Sequence, residues 1–92
     1  MKETFVRRST ALLEAEVDSE LVGLHVETGT CYGFNLPATR IWALIEEPKT
    51  VSAICDALLD EFEVDLATCQ AEVSELLTQL EADGLVKLGP AT

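Results

Sequence analysis

Nucleophilic chemistry in this sequence would fall to its single histidine, His25, and to three cysteines, Cys31, Cys55 and Cys69. A thiol nucleophile needs a base beside it and a third group that orients the base. No glycine-flanked elbow or other catalytic motif surrounds these residues. Strand alternation places His25 on the face opposite Val22, where we expect it to face solvent. A thiol enzyme is therefore the least favoured interpretation, and no catalytic residue is predicted.

The same residues form a poor metal or cofactor site. Zinc usually takes three or four cysteine or histidine ligands in short paired spacings, and these three thiols lie far apart in the sequence. The stretch 26–33, "VETGTCYG", has two glycines but no lysine that could reach a phosphate. An odd number of cysteines without CxxC spacing favours buried free thiols over a disulfide framework. We expect no metal and no cofactor.

The charge of the chain argues against further functional classes. The chain has 92 residues, is 48% hydrophobic and has a formal net charge of -11. Residues 1–10 carry three basic residues and one acidic residue, or +2, so residues 11–92 carry -13. Such a body repels nucleic acid and anionic membranes. It has neither an apolar run of about 18 residues nor a signal-peptide core, so we expect a cytoplasmic protein.

The elements are those of one small domain spanning 1–92, with a core of about 10–88. Alternating residues predict strands over 12–17, 21–27 and 31–35, with "TGT" at 28–30 as a hairpin connection. Pro37 suits the first turn of a helix that runs to about Glu46 and is ended by Pro48. The result is a meander of three antiparallel strands that leads into a helix.

Two more helices follow. Thr50 and Asp65 are plausible N-caps, and Gly84 is a natural residue just past a helix end. The third helix spans roughly 66–82, and Leu85 to Leu88 form a final short extended piece before a "GPAT" tail. Apolar residues recur at helical spacing in both segments: Val51, Ile54, Leu58 and Phe62, then Leu66, Cys69, Val73, Leu76, Leu77 and Leu80.

The fold class is therefore α+β, with a three-stranded antiparallel sheet followed by three helices in a winged helix-turn-helix-like arrangement. A DNA-reading helix normally carries Arg, Lys, Asn or Gln. Residues 66–83 contain no lysine or arginine but do contain Glu72, Glu75, Glu81 and Asp83. The pattern argues against DNA binding.

A peptide-binding groove fits better. Strand 31–35 is predicted at an edge of the sheet, where unpaired N–H and C=O groups can accept an extended peptide. Gly33 permits close backbone approach, and the third helix can form the other wall. Tyr32 and Phe34 have two equally good interpretations, as residues that contact the peptide or as ordinary residues of the hydrophobic core.

At this point the sequence resembles a known family. The ordered segments "GFNLPATRIWALI", "KTVSAICDALLDEFEVD" and "AEVSELLTQLEADGLV" are similar to PqqD-like proteins, also called recognition elements of ribosomally synthesised, modified peptides (RiPPs). The resemblance covers about residues 10–88. It implies a winged fold and a non-catalytic role, in which the leader of a precursor peptide adds as an antiparallel strand to the third strand and packs against the third helix.

Carried onto this chain, the resemblance implies a peptide-binding set on strand 31–35 and along helix 66–82 and its end. Its members are Cys31, Tyr32, Gly33, Phe34, Asn35, Cys69, Glu72, Val73, Leu76, Leu80 and Asp83. Glu72 and Asp83 would meet basic leader residues. The resemblance also implies a processing enzyme as a partner, and the acidic second helix with Asp56, Asp60 and Glu61 is a candidate docking surface.

The pathway stays open at this stage. The resemblance favours a stand-alone protein of lasso-peptide biosynthesis that delivers the precursor to a leader peptidase and then to a cyclase. A peptide chaperone in pyrroloquinoline quinone synthesis or in another RiPP pathway is the alternative. Outside this family, the rivals are a winged-helix transcription regulator, a protein–protein adaptor, and a module that pairs its edge strand with a second copy.

Overall fold

The computed structural model describes residues 4–90. Its elements, in chain order, are β1 (Thr4–Arg8), β2 (Leu13–Val17), β3 (Glu20–His25), β4 (Thr30–Phe34), α1 (Leu36–Leu44), β5 (Lys49–Thr50), α2 (Val51–Glu61), α3 (Leu66–Ala82) and β6 (Val86–Pro90). The strands form two three-stranded antiparallel sheets. The α+β class predicted from the sequence is confirmed.

The first sheet, here called the meander sheet, has the strand order β2-β3-β4. Asp18 and Ser19 adopt positive φ angles of 52° and 70° in the turn between β2 and β3, and Gly29 does so at 73° in the next turn. Leu21 pairs with Phe34, and both side chains are buried on the face that packs against α1. The predicted meander is therefore confirmed.

One face assignment in β3 is wrong. His25 shares its face with the buried residues Leu21 and Gly23, whereas Val22, on the other face, is 38% exposed. His25 is half-buried because it lies at the end of the strand. The pattern "LVGLHV" places apolar residues on both faces, so alternation alone could not tell which face is inside.

Helix starts follow the predicted capping residues. Oγ1 of Thr50 accepts a hydrogen bond from the N–H of Ala53 at 3.1 Å, and Oδ1 of Asp65 accepts one from the N–H of Thr68 at 2.7 Å. These side chains satisfy backbone donors that the first helical turn leaves unpaired. The predictions of Thr50 and Asp65 as N-caps are confirmed.

The end of α3 is equally well defined. Gly84 has a φ of 77°, and the N–H of Leu85 donates to the carbonyl of Leu80 at 2.9 Å. This is the 6→1 bond of a Schellman motif, which needs a left-handed residue at the position that Gly84 fills. Leu85 is fully buried, so the chain turns off the helix directly into the core.

The second sheet, here called the terminal sheet, has the order β5-β1-β6 and was not predicted. Thr4 pairs with Pro90 and Arg8 with Val86. The predicted tail therefore contributes Gly89 and Pro90 to β6, while residues 91 and 92 lie outside the described residues. Val6 is 0% exposed and belongs to the hydrophobic core cluster of residues 4–90, so the core begins before residue 10.

Trp42 of α1 connects the two sheets. It is 1% exposed, and its ring meets Phe34 edge-on with 5.9 Å between centroids. Its Nε1–H donates to Oε2 of Glu14 at 3.0 Å. The guanidinium of Arg8 lies 4.3 Å from the ring centroid and also donates to the Trp42 carbonyl. Cation–π and hydrogen-bond contacts on one residue thus join β1, β2, β4 and α1.

Candidate functional site

The two edges of the meander sheet differ in their protection. The β2 edge carries Glu14 and Glu16, and charged side chains are a common way to prevent pairing with another strand. The β4 edge, "TCYGF", carries no charge, and within residues 4–90 it pairs only with β3. The backbone of β4 is therefore the part of this sheet that is open to an added strand.

Side chains on β4 alternate as the sequence predicted. Phe34 is buried and Tyr32 is half-buried on the α1 side, while Cys31 and Gly33 are exposed on the other side. A side-chain Cβ built at Gly33 would meet no heavy atom within 4 Å. What β4 can offer at its edge is thus backbone hydrogen bonding, since the Phe34 side chain is held in the core.

Asn35 stands at the join between strand and helix. The predicted strand 31–35 is shifted by one residue from β4 (Thr30–Phe34), because Asn35 is the N-cap of α1 and its Oδ1 accepts from the N–H of Ala38 at 3.0 Å. Asn35 also lines a pocket that opens beside this helix start. The open strand edge and the pocket therefore meet at one residue.

This pocket, here called the helical pocket, lies between the three helices and has a volume of about 450 Å³. Its lining combines the start of α1, the end of α2 with the following loop, and one face of α3. The lining residues are Asn35, Pro37, Ala38, Ile41, Leu58, Phe62, Glu63, Val64, Cys69, Glu72, Val73, Glu75, Leu76 and Gln79. An apolar floor of this kind suits burial of an apolar side chain.

The rim of the helical pocket is acidic. Glu63, Glu72 and Glu75 are all exposed. Among the described residues that line it there is no lysine, arginine or histidine. Carboxylates of one sign gathered around a cleft raise the local concentration of cationic groups. The pocket therefore favours an apolar group with a positive charge close by.

The predicted peptide-binding residues divide into three groups. Asn35, Cys69, Glu72, Val73 and Leu76 line the helical pocket. Cys31, Tyr32, Gly33 and Phe34 form β4. The remaining two lie elsewhere, since Leu80 is 4% exposed in the core and Asp83 is the C-cap of α3.

Sequence reasoning missed the half of the pocket that comes from α1, α2 and the loop after α2. Ile41, Leu58 and Phe62 fit helical core patterns, and no local signal separates a core residue from one that lines a cavity. Glu63 and Val64, next to the Asp65 cap, were the available clue. A hydrophobic residue directly before an N-cap often packs against the fourth residue of the helix.

Two of the three thiols are buried beside the helical pocket. Cys31 is exposed, contrary to the expectation that all three are buried, while Cys55 and Cys69 are buried. The thiol of Cys69 donates to the carbonyl of Cys55 at 3.9 Å. Burial, and next to it the neighbouring Cys69, raises the pKa of the Cys55 thiol to about 11. Cys55 therefore stays protonated near neutral pH and is unreactive.

Three further observations bear on other functions. Within residues 4–90, no group of three or more His, Cys, Asp or Glu side chains is arranged to hold a metal ion.

Glu61, one of the acids predicted to dock an enzyme, pairs with Nε of Arg40 at 2.8 Å, while Asp56 and Asp60 are exposed. Among the helices of residues 4–90, none combines the length and the apolar composition that crossing a membrane requires.

Comparisons with known proteins point in one direction. The family model described as coenzyme PQQ synthesis protein D (PqqD) matches residues 20–86. The solved structure of TbiB1 in complex with the TbiA(beta) leader peptide is similar to this chain, with a TM-score of 0.78 and 36% sequence identity. The match covers 94% of this chain and 99% of that one. No curated protein sequence matches the chain.

Proposed function

Because this chain belongs to the PqqD family, we propose that it binds the leader segment of a ribosomally synthesised precursor peptide and does no chemistry itself. The observation that carries the proposal is the unprotected β4 edge, which ends at the helical pocket. Further support comes from TbiB1, which is solved with a leader peptide and is 36% identical to this chain.

The leader adds to β4 as an antiparallel strand in this proposal. Within β4, the backbone N–H and C=O groups that point away from β3 pair with the peptide, and this pairing is largely independent of the leader's sequence. Asn35, which caps α1, contributes to the helical pocket instead. Specificity then comes from one or two side chains that enter the helical pocket past Asn35. The α3 residues Cys69, Val73 and Leu76 form the wall that receives them.

The acidic rim of the helical pocket restricts which leader sequences fit. Glu72 faces the pocket from α3, with Glu63 and Glu75 on the same rim. A leader with an apolar anchor and a lysine or arginine within a few residues would satisfy floor and rim together. Asp83 lies at the end of α3 and would meet a basic residue only if the leader continued along the helix, and Leu80 supports the wall from within the core.

The bound leader is then presented to a processing enzyme. We favour a leader peptidase and a cyclase of lasso-peptide biosynthesis, with pyrroloquinoline quinone synthesis or another RiPP pathway as the alternative. Tethering the precursor raises its effective concentration at the enzyme. We place this step in the cytoplasm because three free cysteines without a disulfide framework are typical of reducing compartments.

A fluorescent leader encoded near this gene is the first probe, with a scrambled leader as its control. Sub-micromolar binding of the leader alone supports recognition. Backbone N-methylation at each leader position in turn then tests the pairing. Since only alternate residues of an added strand point their N–H groups at β4, losses should alternate along the peptide. Equal binding of both leaders, or losses without alternation, would contradict the proposal.

The helical pocket has its own test. Leu76 lines the pocket and is half-buried, whereas Leu66 on the same helix is 52% exposed and lies outside the pocket lining. We expect Leu76→Glu to weaken leader binding at least tenfold and Leu66→Glu to leave it unchanged. Circular dichroism shows whether both variants fold. A folded Leu76→Glu variant with wild-type affinity would place the anchor elsewhere.

A further inference from the structure

The face of the meander sheet that points away from α1 is apolar except at one end, where Glu20 pairs with Val17. Register places Leu13 beside Leu24 and Ala15 beside Val22, and on the next strand Cys31 lies beside Leu24 and Gly33 beside Val22. We call this surface the outer face. Its members are Leu13, Ala15, Val17, Val22, Leu24, Cys31 and Gly33. The opposite face of the same strands holds Leu21 and Phe34 against α1.

The outer face is unusual for so acidic a chain. Leu13 is 62% exposed, Val17 58% and Val22 38%, and Val26, just beyond β3, is 63% exposed. These four are among only six large hydrophobic residues that are exposed in the described chain. Single exposed apolar residues need no explanation, but a contiguous patch of them marks an interaction surface. No element of residues 4–90 packs over this patch.

Charge decides which kind of occupant fits. Acidic residues lie at both ends of the outer face: Asp18 in the turn after β2, Glu20 on the face itself beside Val17, and Glu27 in the turn after β3. A second copy would bring another molecule of net charge -11 and the same acidic borders against them. A partner whose apolar strip is flanked by lysine or arginine avoids this repulsion and gains attraction instead.

The outer face is also continuous with the proposed leader site. A strand added at the β4 edge becomes the fourth strand of the same sheet, and every second side chain of it projects on the side of Cys31 and Gly33. The outer face would then be extended by residues of the leader. A protein seated there contacts this chain and the loaded leader at once.

We propose that the outer face docks a folded partner protein with an apolar strip and a basic border, and that a bound leader strand widens this docking surface. The extension by the leader rests on the proposed function, while docking to the outer face alone does not. The partner we commit to is the enzyme that processes the leader. The acidic surface of α2, which the sequence suggested, is then not needed for docking.

The test uses the purified leader peptidase encoded beside this chain as the probe, with and without leader peptide. Val17 lies on β2, separated from the β4 edge by β3, so Val17→Lys leaves the leader site untouched. Leu66→Lys is the matched control, because Leu66 is 52% exposed and Val17 is 58% exposed, and both variants gain the same charge. We expect Val17→Lys to weaken enzyme binding at least tenfold and Leu66→Lys to change it less than twofold.

Leader affinity, measured on the same variants, separates the two proposals. Unchanged leader affinity with lost enzyme binding supports docking on the outer face. If the chain binds no leader but still binds the enzyme in a way that depends on Val17, that result supports docking on the outer face and contradicts the proposed function. Equal effects of both substitutions, no effect of Val17→Lys, or no binding of the wild-type chain to the enzyme would overturn the inference. Sedimentation that shows a wild-type dimer which Val17→Lys dissociates would overturn it too.

Discussion

The meander sheet joins strands that follow one another in the sequence, whereas the terminal sheet joins β1 to β6 across nearly the whole chain. Their edges also differ. The terminal sheet is bordered by the two-residue β5 and by β6, which contains Pro90, and short strands and prolines both block further pairing. The meander sheet has β4 at one edge with neither protection. The terminal sheet therefore closes the fold, while the meander sheet keeps one unprotected edge.

The largest expected effect separates the sheets by stability. Val6 of the terminal sheet is 0% exposed and Val22 of the meander sheet is 38% exposed. Threonine keeps the shape and β-branching of valine but adds a hydroxyl, which costs about 1–3 kcal/mol where it is buried without a partner. Val6→Thr should therefore lower the free energy of unfolding by about 2 kcal/mol, and Val22→Thr by less than about 0.5 kcal/mol. Urea denaturation measures both, and similar losses would remove the distinction.

The next effect concerns binding. Gly33→Pro removes a backbone donor from β4, whereas Gly33→Ala keeps the donor and has free space for its methyl group. We expect proline to weaken leader binding at least tenfold, or about 1.4 kcal/mol, and alanine to have little effect. Wild-type affinity in a folded proline variant would place the leader elsewhere. If the proline variant does not fold, the Gly33 N–H donates to β3 and not to the open edge. Because N–H groups alternate in direction along a strand, Tyr32→Pro then becomes the test of the open edge.

A smaller effect tests how the two sheets are joined. Glu14 accepts from Nε1 of Trp42 at 3.0 Å and lies 3.8 Å from the Arg8 guanidinium. Glu14→Gln keeps an acceptor for Trp42 and loses only a partly exposed ion pair, so it should cost less than about 0.5 kcal/mol. Glu14→Ala leaves the buried indole N–H unpaired and should cost about 1 kcal/mol or more. If urea denaturation shows that both substitutions lower the free energy of unfolding equally, the ion pair with Arg8 contributes more than the hydrogen bond to Trp42.

The smallest effect lies on α3, which runs from the helical pocket to the terminal sheet. Hydrogen bonds from Thr68 hold the pKa of Asp65 below its usual range. A lowered folded-state pKa means that the contribution is present above the unfolded value of about 3.9 and is lost as pH falls through the folded value. Asp65→Asn keeps the cap but cannot titrate. Its urea midpoint should therefore fall less than that of the wild type below about pH 4, and parallel declines would contradict the assignment.

Local signals were enough for much of the fold. The bounds of α3 follow from a capping aspartate at Asp65 and a left-handed glycine at Gly84, both of which act within a few residues. The meander follows from alternation and two tight turns. Of the site, the α3 wall was predictable because Cys69, Val73 and Leu76 recur at helical spacing.

The rest depends on distant contacts. The strand "TFVRR" has no partner nearby, and only the folded chain brings Thr4 beside Pro90. The helical pocket needs α1 and α2 placed against α3, which no local pattern encodes. The outer face was overlooked for a related reason, since alternation identifies two faces of β3 but does not say that the second one stays uncovered. Leu80 was predicted to line the site but lies in the core. Helical spacing alone could not separate a core position from a position on the pocket wall.

The pairing of Thr4 with Pro90 has a practical consequence for protein engineering. Residues paired across antiparallel strands have Cα atoms about 5 Å apart, so the first and last described residues lie side by side. Such a domain can be placed within a surface loop of a host protein without stretching the host backbone. It can equally be circularly permuted, with new termini at the 26–29 turn, which is exposed and lies far along the sequence from the joined ends.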